Sequence, residues 1–363
     1  MRYVGCKQRL LSFIHEAIKE YNITGNVFCD LFSGTGTVGQ YFKTQGYKII
    51  SNDLLYASYI MQQAKIGINK MPRFEKVANA LDLDRPYQEC YVESIVDYLN
   101  QQKGIEGFIY EHFSLGGTQY KAIQRLYYSD ENAKKIDDIR SSLSMWRLLG
   151  LLNKDEFSIL LYALLNQASR CANTTGTMSS FLKSYSRPAL REIKLQVPDI
   201  TESDQLHTVF HEDGAALINK LETVDILYLD PPYTATQYAA SYHLLETIAR
   251  WDYPAVQGIS GRRNDTAAFR SALSSKRNAL EALAVIVASG RYRHLIMSYS
   301  SDGIIPHEAL MELFQRYGTV SVKRQLMRRY NTMALDDSRL NSNKVVEERL
   351  YYLKPHSVTT AYV

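Results

Sequence analysis

Cysteine is scarce in this chain: the four residues Cys6, Cys29, Cys90 and Cys171 stand far apart and never form Cys-x-x-Cys. That spacing indicates neither a disulfide framework nor a zinc site, and no metal is expected; a reducing, cytoplasmic setting fits. Long apolar runs are missing too. None approaches ~18 residues, so no membrane span is expected, and Met1 to Gly5 leads into no signal-peptide core. An excess of one charge is also lacking. Lys and Arg total 42 against 38 acids, a formal balance of +4, which does not by itself imply a polyanionic partner. No internal repeat or low-complexity tract is present. Tryptophan is rare, at 2 residues, whereas tyrosine reaches 27, a weak pointer to base stacking because tyrosines also pack cores.

What is present suits two domains, or one large domain with an insertion, in 363 residues that are 45% apolar. The stretch Ile226-Leu227-Tyr228-Leu229-Asp230-Pro231-Pro232-Tyr233 organises the rest. Proline lacks an N–H, fixes φ near −65° and pushes the preceding residue out of the helical region. A buried strand therefore feeds a stiff, extended turn. That turn offers the Asp230 carboxylate, the Asp230 and Pro231 carbonyls and the Tyr233 ring, a set suited to a planar, amine-bearing ligand such as a nucleobase.

Upstream, Tyr3 to Lys7 passes through a Gly-containing turn into a helix with Leu10, Leu11, Ile14, Ala17 and Ile18 at helical spacing. Asn26 to Phe32 reads as a buried strand running into Ser33-Gly34-Thr35-Gly36-Thr37-Val38-Gly39 and a helix. The Gly-x-Gly-x-x-Gly spacing allows a tight turn and close approach of a ligand to the backbone. A second strand ends at Asn52-Asp53, where an acid is placed to accept both hydroxyls of a ribose. A nucleoside-containing cofactor follows from these features, but not which one. A dinucleotide oxidoreductase and a methyltransferase using S-adenosylmethionine (AdoMet) both fit. The second would want charged partners for an aminoacyl end near the first strand, such as Asp30 and a lysine.

From about Met71 to Ser203 the α/β alternation stops and the pattern is mostly helical. Asp130 is a plausible N-cap for a helix with Ile136, Ile139, Leu143 and Trp146 on one face. Asn153-Lys154-Asp155-Glu156 matches a capping box. The loop Asn173-Thr174-Thr175-Gly176 and the segment with Lys183 and Arg187 interleave hydroxyls, amides and cations with aromatics, a composition able to grip a sugar–phosphate backbone. Arg140, Arg147, Arg170, Arg262 and Arg263 are further candidates. Alternation then resumes, with strands ending at Asp213, Asp230 and Ser298. Two last strands, Val320 to Leu326 and Val345 to Leu353, suit an antiparallel hairpin in a stretch where nine basic residues from Arg316 to Lys354 face four acids. Ligands bind at the carboxyl ends of strands in open α/β sheets.

In order and spacing, Tyr3-Val4-Gly5-Cys6-Lys7, Asp30-Leu31-Phe32-Ser33-Gly34-Thr35-Gly36, Asn52-Asp53 and Asp230-Pro231-Pro232-Tyr233 resemble the Dam-like adenine-specific DNA methyltransferases, the alpha group. The stretches Glu131 to Asp137 and Ala172 to Gly176 look most like restriction–modification methylases of the FokI type. Cys6 departs from the pattern, since relatives often have glycine there. The resemblance implies a Rossmann-like AdoMet-dependent methyltransferase sheet with a C-terminal antiparallel hairpin, from residues 1–72 and 203–363. It also implies an inserted, mostly helical target-recognition domain from 73–202. Tyr3 is then expected to contact AdoMet, and Lys7, Phe32, Gly34 and Gly36 to lie at its methionine portion with Asp30, Asp53 at the ribose and Asp213 at the adenine ring. Asp230, Pro231, Pro232 and Tyr233 hold the target adenine, with Asp230 also beside the cofactor. Asn173, Thr174, Thr175, Lys183, Arg187, Arg262 and Arg263 are expected to touch DNA. The implied partners are double-stranded DNA and a separately acting restriction endonuclease, and the enzyme is expected to be a bacterial cytoplasmic monomer. Methylation of cytosine N(4) or of an RNA base is the runner-up; a DNA-binding module with a degenerate cofactor pocket is the non-enzyme alternative.

Overall fold

The strands over 27–30, 48–52 and 224–229 form where apolar β-formers run together, and they end at Asp30, Asn52-Asp53 and Asp230. The computed structural model describes residues 7–83, 90–328 and 345–356. Its strands are β1 (Val27–Asp30), β2 (Lys48–Asn52), β3 (Thr208–Phe210), β4 (Val224–Leu229), β5 (Val256–Gln257), β6 (Arg262–Arg263), β7 (Tyr292–Ser300), β8 (Gly318–Arg328) and β9 (Val345–Pro355). By packing, the chain divides into two compact units. One holds Leu55–Asp204 and Tyr238–Phe269; the other holds Lys7–Leu54, Gln205–Gln237 and the described part of Arg270–Val363.

The second unit is built on a seven-stranded sheet in the order β3-β2-β1-β4-β7-β9-β8. Its first four pairings are parallel, and β9 runs antiparallel to both β7 and β8. This is the expected mostly parallel α/β sheet with its C-terminal hairpin. Strands in a parallel sheet are covered on both faces and so read as continuous apolar runs. Accordingly Phe28, Cys29, Leu227, Tyr228 and Leu229 are all fully buried. On one face Cys29, Leu227, Leu229, Leu295 and Met297 join a common core. Elsewhere Phe28 stacks on Phe42, with ring centroids 4.2 Å apart. Chain order reverses between β1 and β4, so a crevice is expected beyond their carboxyl ends. Those ends carry Asp30 and Asp230.

The first unit is mostly helical. The helix Asp130–Leu148 buries Ile136, Ile139, Leu143 and Trp146, as their spacing requires, and its N-cap is Ser129, one residue before Asp130. The helix Lys154–Cys171 opens on both halves of a capping box formed by Asn153 and Glu156. The helix expected from Tyr238 to Trp251 is divided into Tyr238–Ser241 and His243–Arg250. The stretch Ser274 to Ala288 likewise splits into a short 3-10 turn and the helix Ala279–Ala288. No helix among the described residues is long and apolar enough to cross a membrane.

Candidate active site

At the end of β1 the chain turns sharply. Ser33 N–H donates to the Asn52 carbonyl and Gly36 N–H to the Ser33 carbonyl. Gly34 and Gly36 take φ of +53° and +74°, values that glycine adopts without a Cβ penalty. Gly36 is also the N-cap of the helix Thr37–Thr44. Asp53, at the end of β2, accepts the Gly34 N–H at 2.9 Å, which ties the glycine turn to the acid expected at a ribose. Two residues frame this turn: Asn52, which stood in a sequence motif without an assigned role, and Gly214, which no motif singled out. Asn52 donates to the Leu31 and Glu212 carbonyls and accepts the Glu212 N–H, pinning the ends of three strands. Gly214 leaves room for Phe32: a Cβ there would stand 2.8 Å from the ring. Asp213 is exposed and caps the helix Gly214–Ile218 by accepting the Ala216 N–H at 3.0 Å.

Asp30 is 1 % exposed. Its Oδ2 accepts from Ser33 Oγ at 2.9 Å, while its Oδ1 is buried with no hydrogen-bond partner. Burial pushes this carboxyl up to about 7, with Asp230 and Asp53 adding to the rise and the Ser33 hydroxyl and Gly39 N–H opposing it. An orphaned oxygen on a partly protonated buried acid lacks a cation or donor.

Asp230 follows β4 directly, and Pro231 behind it is buried. The Tyr233 carbonyl accepts from Ile304 N–H at 3.0 Å, which fixes the far end of the turn. Lys7, in the 3-10 turn Lys7–Leu10, is 6 % exposed, and its Nζ lies 3.1 Å from Asp230 Oδ1 and 2.6 Å from Glu348 Oε1. The same Nζ sits 5.9 Å from the centre of the Tyr233 ring. Ser298 Oγ, on β7, donates to Glu348 Oε1 at 2.6 Å. Burial alone would lower Lys7, but the two carboxylates outweigh it and hold the ammonium above its usual range. Burial raises Asp230 to about 6, against the pull of Lys7 and with help from Glu348. In the sequence Glu348 is merely one acid in a basic stretch; only the pairing of β9 with β7 brings it to Lys7.

Lys7, Asp30, Phe32, Gly34, Gly36, Asp53, Asp213 and Asp230 to Tyr233 thus all belong to the sheet unit. Tyr3 lies outside the described residues. The expected DNA-contacting residues belong to the helical unit, and they do not share one environment. Thr174 and Thr175 are partly exposed; Lys183, Arg187 and Arg262 are exposed. Asn173 is instead fully buried, donating to the Leu182 and Ser184 carbonyls and accepting from Ser186 N–H. Arg263 is 2 % exposed and bonded to both oxygens of Asp252 and of Asp265 at 2.7–2.9 Å. The expectation that these two touch DNA is corrected by that packing: their polar groups face the protein interior. Arg140 is likewise buried, donating to the Ile248 and Ala249 carbonyls.

Comparison with known proteins adds a family. A model described as D12 class N6 adenine-specific DNA methyltransferase matches residues 3–301. The chain is 36% identical over 323 residues to the type II methyltransferase M.FokI of Planomicrobium okeanokoites, covering 88% of this chain and 47% of that protein. It is 33% identical to the modification methylase LlaI of Lactococcus lactis subsp. lactis, covering 99% of this chain and 56% of that protein. Against the type II methyltransferase M.NlaIII of Neisseria lactamica it is 31% identical, over 96% of this chain and 97% of that protein. The chain spans about half the length of the first of these relatives.

Proposed function

The chain belongs to the D12 class N6 adenine-specific DNA methyltransferase family, and from that premise we propose that it methylates the exocyclic amine of an adenine flipped out of duplex DNA, with AdoMet as donor. One observation carries the reading: two acids with different partners, Asp30 buried and Asp230 half-buried, stand at the carboxyl ends of β1 and β4, where the sheet order reverses. The orphaned Asp30 Oδ1 fits the ammonium of an amino-acid moiety. Without a Cβ at Gly34 or Gly36 the turn allows close approach of the same moiety, and Asp53 suits a ribose. Lys7, Phe32, Gly34, Gly36 and Asp213 complete the set proposed to hold AdoMet, with Tyr3 beside them in sequence. AdoMet bound there supplies an electrophilic sulfonium methyl.

The adenine amine is a poor nucleophile because its lone pair is delocalised into the ring. The Asp230 carboxylate and the Pro231 carbonyl each accept one amine hydrogen, which favours a pyramidal nitrogen with its lone pair aimed at the methyl. As the N–C bond formed, the sulfur–methyl bond of the donor would break with its electron pair left on sulfur, and the amine nitrogen, now cationic, would give up a proton to Asp230 or water. Positioning dominates such a transfer, with effective molarities of order 10⁵ M or more available. Tyr233 stacks on the extruded base, recovering ~1–3 kcal/mol of the flipping cost. Residues 73–202 serve target recognition, with Thr174, Thr175, Lys183 and Arg187 as DNA contacts, joined by Arg262 from the segment Tyr238–Phe269 of the same unit. Modification-methylase relatives support a cognate endonuclease acting separately, and we take the enzyme to be a cytoplasmic monomer.

Asp230→Ala is expected to abolish formation of N6-methyladenine in duplex DNA, read by nucleoside mass spectrometry, while the protein stays folded and binds DNA. Near-normal turnover in that variant would sink the assignment.

A further inference from the structure

A lysine ammonium has three N–H donors and no acceptor. Lys7 sits between two carboxylates, and the shorter contact is the one to Glu348: 2.6 Å, against 3.1 Å to Asp230. Glu348 is itself held in place. Its strand pairs antiparallel with β7, and Ser298 Oγ donates to the same Oε1 that Lys7 reaches. The side chains of Lys7, Asp230 and Glu348 are 6, 17 and 9 % exposed, so water screens these charges weakly.

We propose that Glu348 is a positioning residue for methyl transfer: it shares the Lys7 ammonium with Asp230 and holds it by the shorter contact, so that the Asp230 carboxylate keeps acceptor capacity for the hydrogens of the target amine. The inference rests on the reading of Asp230 as the acceptor of that amine. With Glu348 neutral, Asp230 is the only carboxylate among the described residues left within ion-pair distance of Lys7, and their 3.1 Å contact tightens. An ammonium-bound carboxylate is a weaker and more crowded acceptor. Mere bracing of the hairpin against the 3-10 turn involves the same atoms and the same charge, but it would lower stability and leave kcat of the folded enzyme unchanged.

The groups around Asp230 are Lys7 on the 3-10 turn, Asp30 on β1, Tyr228 on β4, Glu348 on β9 and Tyr233 in its own turn, with Asp302 beyond the tyrosine. Glu348 pushes Asp230 up and Lys7 pulls it down. Removing the Glu348 charge therefore shifts the ionisation of Asp230 to lower pH.

The test uses the full chain, unmethylated genomic DNA and radiolabelled AdoMet, with kcat and KM measured from pH 5 to 9. In Glu348→Gln, kcat is expected to fall roughly 10- to 100-fold, the scale of ~1 Å misplacement, with KM for AdoMet and DNA little changed. Its acid limb is expected to move down by about one unit. Glu348→Asp keeps the charge and is expected to recover part of kcat with the limb at its original pH. An unmoved limb in a folded Glu348→Gln enzyme, or a loss confined to KM, overturns the proposal. Should Glu348→Gln fail to fold, Ser298→Ala loosens the same oxygen. A smaller drop in kcat with the same downward shift supports the role, and an unshifted limb overturns it. Asp230→Ala is run alongside. An active wild type, an inactive Asp230→Ala and a wild-type-like Glu348→Gln refute this inference alone. An inactive wild type, or an active Asp230→Ala, refutes the reading beneath it.

Discussion

A carboxylate taken out of water beside other carboxylates resists ionisation, and Asp30 shows the consequence. Its pKa of about 7 in the folded chain lies above the value near 3.9 of an unfolded aspartate. Between those values the folded state binds more protons than the unfolded state, so this group's contribution to stability falls as pH rises through that window and is flat above it. Asp30→Asn removes the penalty. At pH 8 it is expected to raise the melting temperature by a few degrees and to weaken AdoMet binding by roughly 10- to 100-fold, the scale of a lost charged hydrogen bond. Differential scanning fluorimetry and calorimetric titration check the two halves. A more stable variant with unchanged affinity would remove Asp30 from the cofactor site. The sequence placed Asp30 by its position at a strand end; it did not indicate that one oxygen would be left without a partner.

Elements here begin and end where particular side chains satisfy exposed backbone groups. Asn153 accepts from Asp155 and Glu156 N–H, and Glu156 reaches back to the Asn153 N–H. Glu156 also accepts the Phe74 N–H at 2.9 Å, fastening the helix to a second segment of its unit. Asn153→Ala is expected to cost about 1 kcal/mol, measured by urea unfolding; no loss would mean the cap is replaced by water. This box was legible because its spacing is local. The division of the Tyr238 to Trp251 stretch was not, since its apolar periodicity runs through the break at Tyr242. At the other end Trp251 takes φ of +57° and ends the helix. The stretch from Glu131 to Asp137 is also structural in part. Asn132 bonds the Ala189 and Arg191 carbonyls, and Asp137 accepts the Gly107, Ile109 and Tyr110 N–H groups.

At the scale of the molecule, the chemistry proposed for the sheet unit and the DNA contacts proposed for the helical unit are separable by experiment. Arg262 is exposed on β6, next to the turn whose Gly258 and Ile259 carbonyls the buried Arg125 holds. Arg262→Ala is expected to weaken DNA binding evenly across sequences and to reduce the salt-dependence slope by about 1. Its neighbour Arg263 is expected to behave oppositely. Arg263→Ala leaves the slope unchanged and lowers stability by roughly 1–3 kcal/mol, less than for a wholly buried pair because Asp252 and Asp265 still reach water. Fluorescence anisotropy over a salt series, with melting curves, separates the two; equal slopes in both variants would argue against Arg262 as a phosphate contact.

Local order was enough for the sheet strands, the glycine turn, the proline-stiffened acid and the two capped helices, because each depends on residues within a few positions of one another. The sequence by itself therefore determined the family, the glycine turn proposed to hold the cofactor and the catalytic candidates. Tertiary structure decided the rest. Lys7 and Glu348 stand 341 positions apart and meet only because β9 adds antiparallel to β7. Arg262 and Arg263 are adjacent in sequence, yet one faces solvent and the other two carboxylates. In a strand successive side chains point to opposite faces, and only the packed fold shows which face meets water.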